Sequence, residues 1–125
     1  AISAGPGLRP DNDVDFRLAF RNDWLEQFGG TKQLFVVREE GDSMEPTLQE
    51  GDTVLINKNA NTIGAGGGIF AINWHDMVLV KRLQMNPQTN EIIIKSDNPN
   101  YDSMVVKPHE IQIEGKVIWY GRELR

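Results

Sequence analysis

The chain has 125 residues, no cysteine and a net charge of −5, with 39% hydrophobic and 25% charged residues. That length suits one domain with a true hydrophobic core, and that balance is ordinary for a folded chain rather than a disordered one. An anionic body repels a polyanion, so the chain does not itself read as a DNA-contacting surface; the missing cysteines exclude disulfides, thiolate nucleophiles and Cys-based zinc sites.

The two histidines, His75 and His109, lie far apart without zinc-ligand spacing, so neither a metal nor another cofactor is expected. No apolar run approaches the roughly 20 residues that span a bilayer, and the N-terminus lacks a charged-then-apolar signal pattern. A cytoplasmic protein with no membrane association is the expectation, and the absence of cysteine fits that compartment.

In chain order, residues 1–13 (AISAGPGLRPDND) hold two prolines, two glycines and no periodicity, which reads as an extended linker. Such a beginning suggests a larger protein of which this is the later part, with residues 14–125 as the folded domain. Val14, Phe16, Leu18 and Phe20 alternate with polar or small residues, as in a half-buried strand. Asn22 is placed to cap a short helix, Asp23 to Phe28, that Gly29-Gly30 ends. Strands follow at Gln33–Glu39 and at Thr53–Asn57, the latter after the Glu50-Gly51-Asp52 turn. A loop rich in Gly and Asn runs from Asn59 to Gly68.

Ile69–Asn73 and Met77–Leu83 flank Trp74-His75-Asp76 as the arms of a hairpin. Another strand, Glu91–Lys95, comes after the turn 86–90. Ile111, Ile113, Gly115, Val117 and Trp119 then alternate through a long final strand. About seven short strands and one minor helix predict a mostly-β domain.

Two segments carry chemistry. In Glu40-Gly41-Asp42-Ser43-Met44-Glu45-Pro46-Thr47-Leu48 a serine sits between a strand and a Pro-containing turn. A tight turn exposes a hydroxyl for attack, although a serine there also serves as an ordinary helix N-cap. In Val78-Leu79-Val80-Lys81-Arg82-Leu83 a lysine lies among β-forming apolar residues. Such a lysine can simply snorkel to water from an edge strand. Arg82 follows directly, however, so one of the two cations faces the other side of the strand. If Lys81 faces inward, burial disfavours its charged form, and a neutral amine can take a proton from Ser43.

The runs GDSMEPTLQEGDTVLI, GIFAI, VKRL and SDNPNY, in this order and spacing, resemble the self-cleaving peptidases of the LexA and phage-repressor family, over nearly the whole chain. The resemblance implies a LexA/signal-peptidase-like β-domain, with Ser43 as nucleophile and Lys81 as general base. It implies an oxyanion hole from the backbone amides of Asp42 and Ser43. Family members cut themselves at an Ala-Gly or Cys-Gly bond upstream of the serine. Here that bond is Ala4-Gly5, with Ile2 as an apolar P3 anchor.

The resemblance further implies a homodimer and stimulation by the activated RecA filament after DNA damage. DNA would be contacted only through an N-terminal domain outside this chain. Gly64-Ala65-Gly66-Gly67-Gly68 departs from the family pattern in length and glycine content. A UmuD-like polymerase accessory protein and a dimerisation module with a silent dyad share these motifs. A signal peptidase would also need a membrane anchor.

Overall fold

The computed structural model describes residues 18–124, so the linker 1–13, the Ala4-Gly5 bond, Ile2 and the first part of the strand expected from Val14 lie outside the described residues. The described residues form one seven-stranded antiparallel sheet with a single short α-helix. In chain order the elements are α1 (Asn22–Glu26), β1 (Leu34–Arg38), β2 (Thr53–Asn57), β3 (Gly68–Trp74), β4 (Met77–Asn86), β5 (Glu91–Lys95), β6 (Met104–Val106) and β7 (Gln112–Gly121). The sheet order is β1-β2-β7-β3-β4-β5-β6, so the last strand sits in the middle and joins the β1–β2 pair to the β3–β6 meander.

The mostly-β expectation holds, with corrections at particular elements. Of the strand expected from Val14, the described part keeps one bridged residue, Leu18, before the chain turns into α1. Asn22 is not the helix cap: Arg21 is, in an extended conformation, and Asn22 begins the first turn. Asp23 instead accepts the Trp24 amide, at 2.9 Å. Thr31–Gln33 make a 3-10 turn, so β1 starts at Leu34 rather than Gln33. The short strand β6 carried no sequence signal, because three residues are too few for a periodicity.

Strands β1 and β2 are buried on both faces. Phe35 and Val37 join Val54 and Ile56 in a cluster with Met44, Leu48, Ala71 and Val80. Leu34, Val36 and Leu55 face the other way, onto Leu25 of α1, with Phe20, Trp24 and Trp119 packed around them. Within that layer the Phe20 ring meets Trp119 edge-on, centroids 5.0 Å apart. Continuous apolar runs such as Leu34-Phe35-Val36-Val37 are what two-sided burial demands. A third cluster, built on Phe70, Ile72, Leu83, Ile92, Ile94 and Val106, fills the meander.

The hairpin joining β3 to β4 is tighter than a three-residue loop. Trp74 pairs with Met77, and His75 and Asp76 between them hold φ of 53° and 62°. Positive φ at both central residues matches the right-handed twist of the arms. β7 carries two bulges, since its pairing skips Glu114 against β3 and Ile118 against β2. Each extra residue resets the alternation, so Ile118 and Trp119 pack on the same cluster although adjacent in sequence. At Gly115 an added Cβ would lie 2.4 Å from the Asn57 carbonyl oxygen, a close approach that only glycine allows.

Candidate active site

Between β1 and β2 the chain makes the turn that carries Ser43. Gly41, at φ 75°, bends it away from the strand. Met44 and Leu48, 0% and 1% exposed, then plug it into the cluster beneath, with the Leu48 amide donating to the Met44 carbonyl at 2.9 Å. The Glu45–Pro46 peptide within it is cis. Hydrophobic burial therefore anchors the residues just after the serine and leaves Ser43 itself half-buried.

Lys81 comes from β4. Its Nζ donates to Ser43 Oγ at 2.8 Å and to Ser96 Oγ at 3.0 Å. Arg82 forms a two-pronged pair with Asp97, Nε to Oδ1 at 2.7 Å and Nη2 to Oδ2 at 2.9 Å. The adjacent cations thus meet the adjacent residues Ser96 and Asp97, just past the β4–β5 pair Arg82–Lys95. Thr47 Oγ1 also donates to Asp97, at 2.5 Å, tying the serine turn to the same corner.

Asn98, 8% exposed, holds the turn from its other side. Its side-chain Nδ2 donates to the Asp42 carbonyl and its backbone amide to the Ser43 carbonyl, each at 2.9 Å. In a trans peptide the carbonyl and the following amide point in opposite directions. Fixing the Asp42 carbonyl therefore fixes where the Ser43 N–H points. Tyr101 donates its hydroxyl to Asp42 Oδ1, and its ring lies 5.9 Å from Lys81 Nζ.

Ser43 and Lys81 open onto a cleft of about 310 Å³ between the end of β1 and the first half of β4, lined by Val37–Glu40 and Val78–Lys81. Burial holds the Lys81 ammonium below the ordinary lysine value, and the negative charge of Glu39 opposes that shift. The Glu39 carboxyl is pushed up to about 7, chiefly by burial, while Lys81 pulls it down.

The sequence-expected dyad is brought together, and the Asp42-Ser43 peptide lies at its side. His75, exposed at the hairpin tip against Trp74, and His109, exposed in the 3-10 turn Pro108–Glu110, do not line the cleft. Neither do the glycines between Gly64 and Gly68; Gly67 instead backs onto the Leu83 carbonyl. Sequence reasoning missed Glu39, Ser96, Asn98 and Tyr101 as site residues. For the last three the signal was present, because SDNPNY is a polar run directly after the apolar strand Ile92–Ile94. Among the described residues no cluster of His, Asp or Glu could hold a metal ion. No helix among them is long and apolar enough to cross a membrane.

A family model described as Peptidase S24-like matches residues 1–118. The chain is 30% identical over 124 residues to "Repressor protein CI" of Enterobacteria phage phi80, covering 96% of this chain and 52% of that protein. It is 33% identical over 114 residues to the "26 kDa repressor protein" of Escherichia phage HK022, covering 86% and 47%. It thus spans about half the length of the curated relatives it matches. With a family match over nearly its whole length and an assembled Ser43–Lys81 pair, the chain belongs to the Peptidase S24-like family, that of the LexA and phage repressors.

Proposed function

We propose that this chain is the self-cleaving and dimerising part of a LexA-like or phage-type transcriptional repressor, and that it cuts its own Ala4-Gly5 bond through a Ser43–Lys81 dyad. In this reading residues 1–13 are the linker that carries the cut and residues 14–125 the domain that makes it. The observation that carries the reading is the 2.8 Å contact between Lys81 Nζ and Ser43 Oγ at the wall of an open cleft. That both relatives are described as repressors favours this role over a polymerase accessory factor.

Neutral Lys81 takes the Ser43 hydroxyl proton as Oγ attacks the Ala4 carbonyl carbon. The Asp42 and Ser43 amides receive the negative charge on the carbonyl oxygen. As the C–N bond breaks, the Lys81 ammonium returns the proton to the Gly5 nitrogen. Water, deprotonated by Lys81, then releases Ala4 from the serine ester. A tethered substrate has a high effective concentration, so a weak catalyst suffices. The activated RecA filament would favour the docked linker. Cleavage would part a DNA-reading N-terminal domain from its homodimerising half, lowering affinity for paired half-sites. A cytoplasmic location follows from that role.

The test is incubation of the purified chain across pH, with mass spectrometry for a new N-terminus at Gly5. Cleavage should rise with pH and level off once Lys81 is neutral. Ser43→Ala and Lys81→Ala should each abolish it while the domain stays folded and dimeric. A rate that stays flat from neutral to strongly alkaline pH excludes lysine as the base.

A further inference from the structure

Glu39 stands in the same cleft, and the mechanism above makes no use of it. It continues the β1 face that buries Phe35 and Val37, and its backbone extends the β1–β2 ladder through the Asp52 carbonyl and the Gly51 amide. Alternation therefore delivers its carboxyl to the base of the serine turn. The residue is 5% exposed, and Oε2 has no hydrogen-bond partner among the described residues. A carboxylate so buried is costly unless a cation or donors compensate it.

Three charged groups among the described residues act on the Glu39 carboxyl. Lys81 faces it from β4, Asp52 from the start of β2, and Glu40 follows it in the chain. Arg38, the preceding residue, lines the cleft as well. The Asp52 carboxylate is already held by two bonds from Arg122 and one from the Gln49 amide. The compensating charge across the cleft is Lys81, whose ammonium is stabilised by that same carboxylate.

We propose that Glu39 is a positioning residue whose ionised carboxylate keeps the proton on Lys81, so that the assembled dyad rests in its inactive, protonated form. The proposal rests on the Ser43–Lys81 reading above. It accounts for a pair already at hydrogen-bond distance that must nonetheless stay slow until triggered. Burial, which lifts Glu39 to about 7, places its ionisation in the neutral range, where such a brake matters.

Glu39→Gln keeps the size and removes the charge. In the full chain the midpoint of the cleavage-rate profile should fall by roughly one pH unit, making cleavage about tenfold faster between the Glu39 value of about 7 and that midpoint, where the parent's carboxylate is ionised, and leaving the alkaline plateau unchanged. Lys81 is also read directly, by NMR titration of 13C-labelled lysine in Ser43→Ala and in Ser43→Ala with Glu39→Gln, using Lys81→Ala to assign the signal. A lower Lys81 midpoint in the second protein supports the proposal, even if no variant cleaves and the self-cleavage reading itself fails. An unchanged Lys81 midpoint overturns it, even if the parent cleaves as expected. Loss of plateau rate without a midpoint shift would mean a merely structural Glu39, and would overturn it too. Should glutamine disturb folding, Glu39→Val extends the apolar face of Phe35 and Val37 and removes the same charge.

Discussion

Asn98 clamps the serine turn from the side opposite its hydrophobic plugs. Its two donors occupy consecutive carbonyls, Asp42 and Ser43, and its Oδ1 accepts the Asn100 amide at 3.0 Å, so its hydrogen-bonding groups are engaged. Asn98→Ala would leave the Asp42 carbonyl without its side-chain donor, a loss of about 1 kcal/mol by the usual net worth of one hydrogen bond. The larger expected effect is on rate. A nucleophile displaced by about 1 Å loses on the order of a hundredfold. Cleavage rates set beside urea melts separate the two effects. A variant that is less stable but cleaves at the parental rate when fully folded would show that the clamp does not position Ser43.

Among the elements, the segment between β1 and β2 has no regular structure, and its geometry comes from the two hydrophobic plugs Met44 and Leu48. Met44 is fully buried against a cluster that includes Phe35, Val37 and Val80, so Met44→Ala should cost about 2–5 kcal/mol of stability. Because the same side chain fixes the residue next to Ser43, cleavage should fall further than stability alone predicts. Thermal melts and cleavage of the folded fraction measure the two losses. Equal cleavage by parent and variant would mean that Asn98 and Thr47 hold the turn without Met44. The bulges of β7 act at this scale as well: they turn the strand so that Val117 packs on the cluster beneath the serine turn while Ile118 and Trp119 pack with Leu25 of α1.

For the whole molecule, two buried carboxyls give stability opposite pH dependences. Asp52 ties the β1–β2 turn to the C-terminal segment through Arg122, with bonds of 2.7 and 2.8 Å. The Arg122 bond holds its carboxyl below the ordinary range, against the opposing effect of burial. That stabilisation is present above the ordinary Asp value and is lost as pH falls through the folded value. Glu39 has the reverse sign. Its folded value is raised from 4.5 to about 7, so its contribution is complete below 4.5 and is lost as pH climbs to about 7. Relative to the parent, Glu39→Gln should therefore gain stability across that interval, on the order of 3 kcal/mol by its upper end. Urea midpoints of both proteins from pH 4 to 8 test this. Parallel curves would mean that Glu39 is not the group that titrates.

The sequence by itself determined the mostly-β class, a hairpin with arms at Ile69–Asn73 and Met77–Leu83, the apolar runs of β1 and β2, and Ser43 and Lys81 as the candidate pair that the fold brings to 2.8 Å. These are local properties: alternation, turn chemistry and short motifs are written within a few consecutive residues. It did not determine that β7 lies in the middle of the sheet, where its bulges fall, or that three residues make β6, because pairing across long separations leaves no periodic trace. Nor did it point to Glu39, Ser96, Asn98 or Tyr101 as neighbours of the dyad, although SDNPNY was visible as a run. Ser96 reaches Lys81 across 15 residues and Asn98 reaches Asp42 across 56. Glu39 looks in sequence like half of an ordinary charged pair with Glu40. Its charge matters only because the sheet buries one of the two and leaves the other exposed, and burial is decided by what the fold packs against a residue.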